Sequence, residues 1–89
     1  MKKVAVLISG RGSNLGALIA AQDDRYRIIL VVSNVANAGG LEKARAAGIA
    51  TQIIPHVGPL GEKKTREDFD AEVDAALRAA GAEIVVLAG

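Results

Sequence analysis

Three stretches of this chain are apolar without interruption: Val4-Ala5-Val6-Leu7-Ile8, Ile28-Ile29-Leu30-Val31-Val32 and Ile84-Val85-Val86-Leu87. A strand with one face in water alternates apolar and polar residues, whereas these runs need cover on both faces. The segments between them carry apolar residues at helical spacing. Leu15, Leu18 and Ile19 form one such set, Leu41, Ala44 and Ala47 a second, and Phe69, Val73, Ala76, Leu77 and Ala80 a third. Ile49 to Ile54 reads as a further strand, closed by Pro55. Strand and helix therefore alternate, which predicts an α/β fold: four strands in an open parallel sheet, three helices on its two faces, and ligands at the carboxyl ends of the strands. Local signals punctuate the helices. Asn37 is placed to cap the second helix and Gly48 to end it in a left-handed conformation. After a loop containing Gly58, Pro59 and Gly61, Thr65-Arg66-Glu67-Asp68 has capping-box spacing with Asp in place of Glu, and Gly81 stops the helix it opens.

Chemistry concentrates at Ser9-Gly10-Arg11-Gly12-Ser13-Asn14-Leu15, where the first strand turns into the first helix. The first N–H groups of a helix lack intrahelical partners and point into the preceding loop, and the helix dipole adds partial positive charge there. Gly10 and Gly12 let the backbone approach a ligand, and Ser13 and Asn14 add side-chain donors. The dinucleotide fingerprint is not met. Its third glycine would precede Gly16 by one residue, and the second strand ends in Ser33-Asn34 without an acidic residue for a ribose. Nor is the nucleoside-triphosphate loop, since neither Gly12 nor Gly16 is followed by Lys. A monophosphate held mainly by backbone amides remains. The alternative is a tight turn in which the glycines serve geometry and Ser13 or Asn14 merely caps the helix.

Composition narrows the classes further. At 89 residues the chain is expected to be one small domain, and 51% hydrophobic against 2% aromatic implies an aliphatic, alanine-rich core. Eleven Lys and Arg against ten Asp and Glu leave no basic field for nucleic acid, and one Tyr, one Phe and no Trp leave few stacking platforms. Without cysteine there are no disulfides and no thiolate chemistry. No apolar run approaches the roughly eighteen residues of a membrane span, and Met1-Lys2-Lys3 leads into a strand without a signal-type cleavage site. A cytoplasmic, soluble protein without membrane or nucleic-acid partners is the expectation.

Val6-Leu7-Ile8-Ser9-Gly10-Arg11-Gly12-Ser13-Asn14-Leu15, Val32-Ser33-Asn34, Gly40-Leu41-Glu42-Lys43-Ala44, Ala47-Gly48-Ile49, Arg66-Glu67 and Val85-Val86-Leu87-Ala88-Gly89 resemble, in order, the amino-terminal half of the phosphoribosylglycinamide formyltransferases. The resemblance implies a Rossmann-like sheet with strand order third, second, first, fourth. It also implies transfer of a formyl group from 10-formyltetrahydrofolate to glycinamide ribonucleotide in de novo purine biosynthesis, without a metal. Matched position by position, Gly12, Ser13 and Asn14 are expected to bind the substrate phosphate, and Arg66 to lie at the folate. Related readings are a formyltetrahydrofolate hydrolase, whose corresponding turn lacks Gly-x-Gly-Ser-Asn, and a non-catalytic phosphate-binding α/β module.

Members of that family continue with a Met-Arg segment, an Asn-x-His motif and a later Asp, which carry the proton transfers, and none of these follows Leu87 here. Residues 1–89 are accordingly expected to be an amino-terminal fragment without catalytic residues, inactive alone. The single imidazole, His56, sits in a loop beside Pro55 and reads as a surface residue remote from the site. Asp68, Asp70, Glu72 and Asp74 read as a solvated helix face with no His or Cys to complete a metal site, and Asp23, Asp24, Arg25 and Arg27 as a mixed-charge loop. Lys63-Lys64 could face an anion or simply solvent. Ile84 to Leu87 holds no Lys or Pro, so this strand, as an edge, is expected to pair with another chain and drive self-association.

Overall fold

The computed structural model describes residues 1–9, 13–35, 39–58 and 60–88, with Ser13 described by its backbone alone. Gly10, Arg11, Gly12, Asn37, Pro59 and Gly89 lie outside the described residues, and with them the expected Asn37 cap. The elements run β1 (Lys2–Ile8), α1 (Ser13–Ala20), β2 (Tyr26–Ser33), α2 (Gly39–Ala46), β3 (Ala50–Ile53), α3 (Arg66–Ala80) and β4 (Ile84–Leu87). The strands form one parallel sheet in the order β3-β2-β1-β4. The expected fold class and strand order are both present.

Each face of the sheet has its own core. Val4, Val6 and Ile8 of β1 pack with Leu15 of α1 and with Leu41 and Ala44 of α2. On the other face Ala5, Leu30 and Val32 meet Val73 of α3, flanked by Phe69, Ala76, Leu77 and Ala80, the stripe read from the sequence. Ala5 and Val6 are wholly buried, as a central strand covered on both sides must be.

The helix ends follow their local signals. The Thr65 hydroxyl accepts a hydrogen bond from Asp68 N–H at 3.0 Å, capping α3. Gly81, at φ 79°, lets its own N–H reach Arg78 O and Ala82 N–H reach Leu77 O, both at 3.1 Å. Gly48, at φ 75°, does the same for α2, with Gly48 N–H on Arg45 O and Ile49 N–H on Ala44 O. Left-handed backbone at both glycines satisfies carbonyls that a helix end would otherwise leave open.

Strand limits differ from those expected. β1 and β2 begin two residues earlier than their apolar runs, because Lys2 pairs with Tyr26 and Lys3 with Arg27. Backbone pairing extends there beyond the buried region, so hydrophobicity does not mark it. β3 is shorter than 49–54, although Ile54 N–H still bonds Ser33 O at 2.8 Å. Val4 pairs with Ile28 but Ala5 with Leu30, so Ile29 is an extra residue on β2. The bulge turns Ile29 and Leu30 towards the same side, the α3 face, while Ile28 and Val31 face α1 and α2.

Because the Thr65 cap is an exposed but well-formed bond, Thr65→Ala is expected to destabilise the fold by about 1 kcal/mol. Urea unfolding would show this as a lower midpoint with an unchanged slope. An unchanged midpoint would mean that the cap contributes nothing.

Candidate functional site

The parallel sheet brings all four strand ends to one edge, and a crevice of about 290 Å³ opens there. Ile8 and Ser9 after β1, Asn34 after β2, His56 after β3 and Leu87 of β4 line it, and Phe69, Asp70 and Val73 of α3 close one side. Its walls are mostly aliphatic, with polar groups from Ser9, Asn34, His56 and Asp70, the usual composition of a small-molecule site.

The polar side of this crevice is organised around His56. Its ring stacks on Phe69 with centroids 4.3 Å apart and planes at 28°. Asn34 Nδ2 hydrogen-bonds His56 Nε2, and the His56 carbonyl accepts from Lys64 N–H at 2.8 Å. Asn34 Oδ1 is buried without a hydrogen-bond partner among the described residues. Upstream, the buried Ser33 hydroxyl donates to Val35 O at 2.8 Å and accepts from Val35 N–H at 3.0 Å, fixing the turn that presents Asn34.

Of the expected site residues, Ser13, Asn14 and Arg66 fall at this same edge of the sheet. Ser13 is the first residue of α1, the element that follows β1, and Gly12 lies outside the described residues. Asn14 is exposed and borders a trough between α1 and β4 that also includes Leu87. Arg66 opens α3, on the opposite face of the sheet from α1, and lines a second groove with His56, Lys64, Phe69 and Asp70. Its side chain is 94% exposed and its nearest charge partner is Asp70 at 3.8 Å. An exposed pair of that length contributes about 0–1 kcal/mol, too little to fix a long side chain. Asn14 and Arg66 thus stand on two sides of the strand ends, with Leu87 reached from both the trough and the crevice.

His56 is an exposed loop residue, as expected, but it is not remote from the site: the crevice runs beside it. Asn34, Phe69 and Asp70 join it there, and none was marked as a site residue by its local sequence. Of the acidic helix face, Glu72 pairs with Lys64 at 2.7 Å and Asp74 with Arg78 at 2.7 Å. Lys64 is therefore a structural cation, its side chain 15% exposed. In the loop between α1 and β2, the Arg25 guanidinium beside Asp23 holds that carboxyl below its ordinary range. Among the described residues, no group of three or more His, Asp or Glu converges on a metal-sized site, and no helix is long and apolar enough to cross a membrane.

Residues 2–89 match the formyl transferase family. The chain belongs to that family. Over 90 residues it is 46% identical to the trifunctional purine biosynthetic protein adenosine-3 of Gallus gallus, covering 98% of this chain and 9% of that protein. It is 42% identical over 89 residues to the phosphoribosylglycinamide formyltransferase of Escherichia coli, covering 97% of this chain and 40% of the relative. Among solved structures, glycinamide ribonucleotide transformylase 1 from Symbiobacterium toebii superposes with a TM-score of 0.86 at 38% identity, over 100% of this chain and 42% of that one. This formyl transferase chain thus spans less than half the length of these relatives.

Proposed function

We propose that this chain forms the substrate-phosphate-binding part of a phosphoribosylglycinamide formyltransferase. The reaction would move the formyl group of 10-formyltetrahydrofolate to the amine of glycinamide ribonucleotide, in de novo purine biosynthesis. The observation that carries the proposal is the placement of the start of α1 at the sheet edge where the strand ends form the crevice, in a chain matched along residues 2–89. In this reading the amides of Gly12, Ser13 and Asn14 bind the phosphate at the helix start, helped by the dipole of α1. Arg66 faces the folate, whose apolar body suits the aliphatic walls of the crevice and whose negative charge suits an exposed guanidinium. A cytoplasmic setting belongs to the proposal, in keeping with a sequence without cysteine.

When bound, 10-formyltetrahydrofolate supplies an activated formyl carbon. Attack by the amine needs a base for the amine proton and donors for the oxyanion that forms. Within the 89 residues His56 is the sole imidazole, and its Nε2 is engaged by Asn34. We therefore assign binding to this segment and no acid–base step. Calorimetric titration of the protein at its natural length with glycinamide ribonucleotide should show binding that Gly12→Val weakens at least about tenfold, because a Cβ there blocks the backbone's approach to phosphate. The 89-residue polypeptide should give no folate product. Undiminished affinity in Gly12→Val, or turnover by the polypeptide alone, would contradict the proposal.

The 89-residue polypeptide is also proposed to self-associate through β4. Within this chain β4 is an edge, and Ile84, Val85 and Leu87 are 42%, 44% and 78% exposed. An apolar edge without Lys or Pro offers its open N–H and C=O groups to another strand. Sedimentation should find dimers or larger species at high concentration, dissociated by Val85→Lys. A monomer at every concentration would refute this.

A further inference from the structure

We infer that His56 is a positioning residue for Arg66. It holds the first turn of α3 against the carboxyl end of β2, so that the guanidinium stands beside the crevice. The inference rests on the reading of Arg66 as a folate-site residue.

Several contacts fix the start of α3. The Thr65 cap and the Lys64–Glu72 ion pair both attach this region to α3 itself. They stabilise the helix but leave its placement over the sheet to other contacts. His56 supplies such a contact. It follows β3, hydrogen-bonds Asn34 after β2, and stacks on Phe69 in the first turn of α3. One imidazole thereby joins two strand ends to one helix. Residues three apart share a side of a helix, so the turn that carries Phe69 carries Arg66 with it. The two groups also line one groove.

The contacts of His56 support this assignment over the local ion pair. The stack on Phe69 and the exposed hydrogen bond to Asn34 join the start of α3 to the ends of β2 and β3. The exposed Arg66–Asp70 pair, at 3.8 Å, is weak and moves with the helix in any case. To the apolar stripe that seats α3 on the sheet, His56 thus adds a contact at the first turn, beside Arg66, while Asp70 at most biases the Arg66 rotamer.

The test is a double-mutant cycle in the protein at its natural length, with steady-state kinetics against 10-formyltetrahydrofolate and thermal unfolding of each variant. His56→Ala should raise KM for 10-formyltetrahydrofolate about three- to tenfold and leave kcat within about twofold. In an Arg66→Ala background the same substitution should raise KM no further. His56→Phe, which keeps a ring over Phe69, should lie between His56→Ala and the parent. If His56→Ala does not fold, His56→Phe and His56→Gln carry the cycle under the same criteria. An unchanged KM, a fall in kcat alone, or full additivity with a harmful Arg66→Ala would overturn the inference while leaving the reading of Arg66 intact. If Arg66→Ala itself leaves KM unchanged, that reading fails and the inference with it.

Discussion

A strand hydrogen-bonded to neighbours on both sides and apolar on both faces has nowhere to meet water, and β1 is such a strand. It pairs with β2 along one edge and β4 along the other, with Ala5 and Val6 wholly buried between the two cores. Everything else answers this constraint. Parallel neighbours require crossovers, the crossovers supply helices, and the helices cover the faces that β1 cannot leave exposed. α1 and α2 cover one side while α3 crosses the other on its way from β3 to β4. The chain thus reverses direction beside β1, the place where an open parallel sheet splays its loops apart and admits a ligand.

Function inherits its location from that geometry. Parallel strands end at one edge, so the start of α1, the turn after β2, the loop after β3 and the end of β4 gather there although far apart in sequence. In the proposed reading the helix start offers its amides to phosphate, and the crevice beside it offers aliphatic walls to a larger partner. Two sets of groups around the strand ends suit a reaction between two substrates, as the proposed formyl transfer requires.

Elements fixed by local chemistry were legible in the sequence. Gly48 and Gly81 end α2 and α3 in the left-handed conformation that their positions imply, Thr65 caps α3, and β4 spans the four residues of its apolar run. Features fixed by pairing were not. The bulge at Ile29 depends on how β2 lies against β1, and an unbroken apolar run carries no alternation from which to read it. The early start of β1 and β2 likewise comes from backbone bonds between polar residues. His56 shows the same limit at the site: its partner Asn34 is 22 residues away, and only the adjacency of β2 and β3 brings them together. The segment Ser9 to Leu15, by contrast, is continuous in sequence, so the proposal of a phosphate site there rests on its residues and not on contacts between distant ones.

The proposed receptor for the substrate phosphate is the segment that joins β1 to α1. A crystal structure of the protein at its natural length with glycinamide ribonucleotide bound tests it most directly. Phosphate oxygens are expected within about 2.7–3.2 Å of the amide nitrogens of Gly12, Ser13 or Asn14. A phosphate bound elsewhere, with this segment making no contact to it, would refute the proposed site.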